Sequence, residues 1–173
     1  MYKYIRSVLA RRTFAHKLRN KAMNTFSSYE IFNSIREKQE QNRQIEKRPH
    51  EVLYFHKVDD PYSHLTVQYL DKLKDSYDIV LKPILVGEEN PETLHEPSLY
   101  NKYCLEDVRR IATYYQIEFT ADSYPLKNLV DLANSILSSV EEENFNNIAR
   151  DVSSALWNSD EEKLKEISSK YSA

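Results

Sequence analysis

The chain has 173 residues, 40% hydrophobic and 29% charged, with a formal net charge of −3; it is long enough for one ordinary domain with its own core, and that charge argues against a dedicated nucleic-acid binder. One cysteine, Cys104, excludes an internal disulfide, CxxC redox chemistry within one chain and a cysteine-based zinc finger, and fits a reducing, cytoplasmic setting. One glycine, Gly87, excludes Gly-rich phosphate loops, and no run of about 18 apolar residues is present to span a membrane.

Residues 2–22 read as a basic helix, with Tyr2, Ile5, Val8 and Leu9 on one face. No Asp or Glu precedes Glu30, while Lys3, Arg6, Arg11, Arg12, Lys17, Arg19 and Lys21 all fall before it. The start lacks a secretory apolar region; its Arg-rich, acid-free composition also matches a mitochondrial transit peptide. Its cations with Tyr2, Tyr4 and Phe14 could meet anionic lipid or nucleic acid. The plainer reading is a solvated or docking helix, because the apolar face is short. Ser27 and Glu30 have capping-box spacing for a second helix. That helix carries Ile31, Phe32 and Ile35, turns polar over 36–48 and ends at Pro49.

Glu51–Val58 is a strand by β-propensity. Asp59-Asp60-Pro61 then opens a helix, Asp being a favoured N-cap and Pro a favoured first residue. This helix is expected to run to about Asp75, with Leu65, Tyr69, Leu70 and Leu73 on one face. A second strand, Asp78–Val86, completes a βαβ unit, which should be parallel. A loop with Pro91 and Pro97 follows Gly87. The rest is helical: one face from Leu105, Val108, Ile111, Ala112 and Tyr115; a helix opened by Pro125; another through Phe145, Ile148, Ala149, Val152 and Leu156. Ser159 with Glu162 is expected to cap a last short helix.

His56 on the first strand and His64 in the following helix are placed to approach one another. No HxxxH or HxH pattern accompanies them, and no metal site is expected. Cys104 opens a helix beside Glu106 and Asp107, which oppose thiolate formation, so it reads as a half-buried structural residue. Glu141-Glu142-Glu143 reads as a solvated turn.

Three stretches in order carry a resemblance: Val52-Leu-Tyr-Phe-His-Lys-Val-Asp-Asp-Pro-Tyr-Ser-His-Leu65, Ile79-Val-Leu-Lys-Pro-Ile-Leu85, and Leu99 through Phe119. Together they resemble the DsbA-like thioredoxin-fold family, in particular kappa-class glutathione transferases and 2-hydroxychromene-2-carboxylate isomerases. There the strand is followed by a Ser-Pro-Tyr-Ser-Trp-Leu turn, and in disulfide oxidoreductases by C-P-x-C. The resemblance covers roughly residues 50–157. It implies a glutathione-dependent transferase or isomerase. Asp60 and Ser63 would stand at the reacting thiol, and Pro61, Tyr62 and His64 would contact glutathione. The turn lies at a helix start, where free N–H groups favour a thiolate.

Two departures bear on that activity. Asp60 replaces a hydroxyl or thiol with a charged acceptor; as N-cap it would take the N–H of Tyr62 or Ser63 and fill the anion site itself. From 126 to 173 there is neither a proline nor a strand pattern, so the second half of a thioredoxin-like sheet is missing. The expected architecture is therefore α/β but mostly helical: a helical extension (1–48), then a thioredoxin-like half-domain (49–173) made of βαβ (49–87) and a helical insertion subdomain (88–173). Two functions stay open. One is a glutathione-dependent enzyme or its relic. The other is a non-catalytic interaction module using an exposed sheet edge and the basic N-terminal helix, completed by a homodimer or by a missing C-terminal half-domain.

Overall fold

The computed structural model describes the backbone of residues 2–87 and 96–171, and side chains from residue 13 onward. Pro91 and the early apolar face (Tyr2, Ile5, Val8, Leu9) lie outside the described residues and side chains. Internal contacts divide the chain into Met1–Pro49 and His50–Ala173.

The first unit is two helices, α1 (Tyr2–Phe26) and α2 (Tyr29–Ile45). Ser28, not Ser27, caps α2: its hydroxyl accepts the Ile31 N–H. The polar run continues as helix to Ile45, where Arg43 bridges to Glu40 and to the Arg48 carbonyl. No side chain of α2 is buried, and Phe14, Leu18, Phe26, Phe32 and Ile35 are exposed. This pair has no packed core of its own among the described side chains.

The second unit is built on strands β1 (His50–His56) and β2 (Ile79–Leu85), paired in parallel with His50 opposite Ile79 and His56 opposite Leu85. The single helix expected between them is broken into α3 (Pro61–Val67) and α4 (Leu70–Ser76), interrupted at Gln68–Tyr69. The break lets Leu65, Val67 and Leu70 all be buried, which one straight helix with a single apolar stripe would not allow. Helices α5 (Pro97–Tyr115), α6 (Lys127–Ser138), α7 (Phe145–Trp157) and α8 (Glu161–Tyr171) follow. The class is thus mixed α/β and mostly helical, with a two-stranded sheet among the described residues.

Local signals explain the helix ends. Gln116 and Ser159 take left-handed conformations after α5 and α7, at φ 55° each, a place usually given to glycine. Ser159 therefore closes α7, and the cap of α8 is Asp160, whose carboxylate accepts the Lys163 N–H at 2.9 Å. Leu126, one residue past Pro125, precedes α6.

The core lies between the inner sheet face and α6–α8. Tyr54 and Leu81 from the strands join Leu129, Ala133, Ile136 and Leu137 of α6, Ala149, Val152 and Leu156 of α7, and Leu164 and Ile167 of α8. The spacing of three and four along α6 and α7 gives each one apolar stripe facing the others. A smaller cluster, Leu65 with Val108 and Ala112, seats α3 on α5. Alternation along the strands turns Glu51, Leu53 and Phe55 to the opposite side, where Val80 and Ile84 are exposed with them.

Candidate functional site

The turn after β1 is shaped by Asp60. Its backbone is extended and its carboxylate Oδ2 accepts from both the backbone N–H and the hydroxyl of Ser63, each at 2.8 Å. Pro61 follows as the first helical residue and is fully buried. The Ser63 hydroxyl also accepts the Lys57 N–H at 3.3 Å. Ser63 is 7% exposed, so its hydroxyl is a packed, saturated link between strand end and helix rather than the solvated group that a third helical position suggests. The N–H of the residue carrying the hydroxyl, the hydroxyl itself and the capping carboxylate satisfy one another. An incoming thiolate would have to displace a fixed negative charge.

Tyr62 points to α5: its hydroxyl donates to Asp107 Oδ2 at 2.8 Å. Burial, reinforced by that bond and by neighbouring Cys104, pushes the phenol well above its ordinary value. Tyr124 is raised in the same way, first by burial, then by Cys104 and Asp60. Cys104 is buried, at 2% exposed, deeper than the half-buried position expected, and interacts with both phenols. Two neutral tyrosines, one in the turn and one before α6, thus share the buried Cys104 as a neighbour.

Both histidines are also interior. His56 is wholly buried; its Nδ1 meets the Tyr54 hydroxyl at 2.7 Å and its Nε2 the Ser153 hydroxyl at 3.5 Å. Tyr54 in turn donates to the Ser63 carbonyl at 3.2 Å. A neutral imidazole offers one donor and one acceptor, and this chain of groups uses both. Burial, with His64 nearby, pushes the His56 pKa down to about 4. His64 is likewise lowered to about 4 by burial. It stacks on Trp157, at 5.9 Å between ring centroids and 23° between planes, and its Nε2 lies 3.3 Å from the Gln68 amide nitrogen. Its Nδ1 is buried without a protein partner among the described residues. His64 is near enough to His56 to disfavour its charged form, but no metal-binding group of three or more His, Cys, Asp or Glu occurs among the described residues.

Trp157 organises this region, with Phe119 and Tyr124 rings at 5.6 Å from its own and its indole N–H donating to the Val58 carbonyl at 3.1 Å. Sequence reasoning missed Tyr54, Asp107, Tyr124, Ser153 and Trp157, because each lies on a different element from the turn. Only tertiary packing brings them to it.

Two cavities flank the turn. One of about 340 Å³ lies between His64 of α3, Gln68 just past its end, Thr120, and Arg150 and Ser154 on α7. The other, of about 310 Å³, opens at the carboxyl ends of both strands between Lys57, Asp59, Val86 and Gly87 and the approach to α6 at Tyr124 and Lys127. The second occupies the usual ligand position of an open α/β sheet. Asp60, Pro61, Tyr62, Ser63 and His64 are thus contiguous, but Tyr62 and His64 diverge, one toward α5 and the other toward α7. No helix among the described residues is long and apolar enough to cross a membrane. Comparison with protein-family models, curated proteins and solved structures gives no match to this chain.

Proposed function

We propose that the βαβ unit is a thioredoxin-like half-domain whose thiol site is closed by its own Asp60, and that the chain acts as a non-catalytic interaction module through the open edge of its sheet. The observation that carries this reading is the Asp60 carboxylate taking both the N–H and the hydroxyl of Ser63 at 2.8 Å. A helix start that could favour a bound thiolate holds an internal anion instead. The uncovered apolar stripe of Leu53, Phe55, Val80 and Ile84 supports the second half of the reading: a parallel sheet ordinarily has both faces covered. The basic N-terminal helix would add a second contact to a partner. A single buried thiol suits a reducing compartment, and we assign the chain to the cytoplasm.

The competing reading is a glutathione-dependent transferase or isomerase, with Ser63 and Asp60 at the thiol and Pro61, Tyr62 and His64 holding glutathione. The cleft at the strand carboxyl ends favours it. A titration with reduced glutathione, read by amide NMR, separates the two. The native chain should show no shift at Asp60–His64 at about 10 mM ligand, a concentration that detects even millimolar affinity. Asp60→Ser, which restores a neutral hydroxyl, should gain shifts confined to that turn. Saturable shifts in the native chain, abolished in Ser63→Ala, would establish the enzyme-like reading.

A further inference from the structure

We infer that the open edge of β1 is the interface for a second copy of this chain, paired antiparallel about Tyr54. The inference rests on the interaction-module reading and names its partner.

The two strand edges are unlike. β2 contains Pro83, which has no N–H to donate, and proline within a sheet is confined to edge strands and bulges. β1 has neither proline nor lysine between His50 and His56, two devices by which proteins blunt exposed edges. Its inner residues are nonetheless sequestered, Tyr54 and His56 being 8% and 0% exposed. Among the described residues, no strand other than β2 pairs with it, and over its centre, Val52–His56, the backbone bond from outside the ladder is the one from Val86 to the His56 carbonyl. That bond belongs to the β2 side. Among the described residues the sheet is therefore finished at β2 and unfinished at β1.

The sequence of β1 is complementary to itself when reversed. An antiparallel pairing centred on Tyr54 sets Leu53 opposite the partner's Phe55, Val52 opposite the partner's His56, and Glu51 opposite the partner's Lys57. Two-fold symmetry repeats each pair, as a closed isologous interface requires. Leu53 and Phe55, 53% and 59% exposed, would then meet across the junction and extend the apolar stripe over four strands. Apolar and opposite-charge cross-strand pairs stabilise such a junction, whereas like charges oppose it. Glu51 and Lys57 have several contacts within their own chain, among them Lys82 at 2.7 Å and Asp59 at 2.9 Å. Both side chains nonetheless reach solvent, Glu51 at 43% and Lys57 at 23% exposure. A registry shift of one residue would put inner residues opposite outer ones and lose both the charge and the apolar matches.

Sedimentation of the full chain at about 100 µM tests this, a concentration at which micromolar self-association is nearly complete. The chain should be a dimer, and Phe55→Asp a monomer with native tryptophan fluorescence. Glu51→Lys and Lys57→Glu should each weaken the dimer by about tenfold, since each reversal makes two like-charge pairs across the axis. The double reversal should restore it. The double variant keeps the local clashes with Lys82 and Asp59 while restoring opposite charges across the axis, so its recovery reports the contact between copies. A monomer at that concentration overturns the proposal, as does a dimer that Phe55→Asp or the reversals leave unchanged, which would place association elsewhere. Glutathione binding by the native chain would overturn the closed-site reading but leaves the oligomeric state a separate measurement.

Discussion

His56 and His64 show how a residue type that suggests chemistry becomes part of a core. Each is held neutral by burial, with a pKa near 4 against an ordinary 6.5. The unfolded chain therefore binds more protons than the folded one between about pH 6.5 and pH 4. Stability from these groups is complete above the upper value and is lost as pH falls through that window. With the ordinary equivalence of 1.36 kcal/mol per pKa unit, the loss is on the order of a few kcal/mol for the pair. Urea melts at pH 7 and pH 5 should show the decline. His64→Phe removes the buried Nδ1 that has no protein partner and keeps the stack on Trp157. It should leave stability at pH 7 within about 1 kcal/mol, because losing an unsatisfied polar atom offsets a modest change of shape. It should also flatten the pH dependence. An unchanged slope would mean that His64 does not carry its share of the linkage.

At the scale of elements, scarcity of glycine leaves its mark. Gln116 and Ser159 end helices in left-handed backbone, where the Cβ atom itself is a steric cost that glycine lacks. Ser159 was a plausible cap by spacing to Glu162, yet its conformation makes it the terminator of α7, and Asp160 serves α8. The two roles predict opposite responses. Asp160→Ala removes the acceptor of the Lys163 N–H and should cost about 1 kcal/mol. Ser159→Gly should stabilise by several tenths of a kcal/mol, up to about 1 kcal/mol. Denaturation followed at Trp157, which lies in the same core cluster as Leu164 and Ile167 of α8, measures both. The spacing rules located this helix correctly to within a residue or two. They could not choose between adjacent cap candidates, since that choice depends on the backbone angle at which α7 arrives.

Across the whole molecule, the two units differ in what stabilises them. The second unit buries the apolar stripes of α6, α7 and α8 on the sheet. The described side chains of the first unit are exposed or half-buried, so its helices rest on local bonds and capping, which are marginal for isolated helices. Unfolding should therefore not be two-state. Far-UV circular dichroism, which counts α1 and α2, should begin to fall at lower urea than fluorescence of Trp157, the single tryptophan and a residue of the second unit. Coincident curves would mean that the first unit gains its stability from contacts with something else.

By itself the sequence determined the order of strands and helices, the Asp60-Pro61 helix start, the βαβ connection and the absence of cysteine-pair and Gly-loop chemistry. These follow from local preferences and residue supply, which need no knowledge of the rest of the chain. It also placed a carboxylate, Asp60, at that helix start. That Asp60 would cap with an N–H of Tyr62 or Ser63 was legible from the cap position; the tertiary structure selected Ser63, added its hydroxyl to the same Oδ2 and locked that hydroxyl against the end of β1. It alone broke the α3–α4 connection, drew Asp107 to Tyr62 and Trp157 to His64, and sank Cys104 below the surface. Those outcomes depend on residues roughly 45 to 100 positions apart in the chain meeting in one core. Periodicity can assign a residue to a face, but the partner on the opposing face is chosen by close packing and by the requirement that buried polar groups find one another.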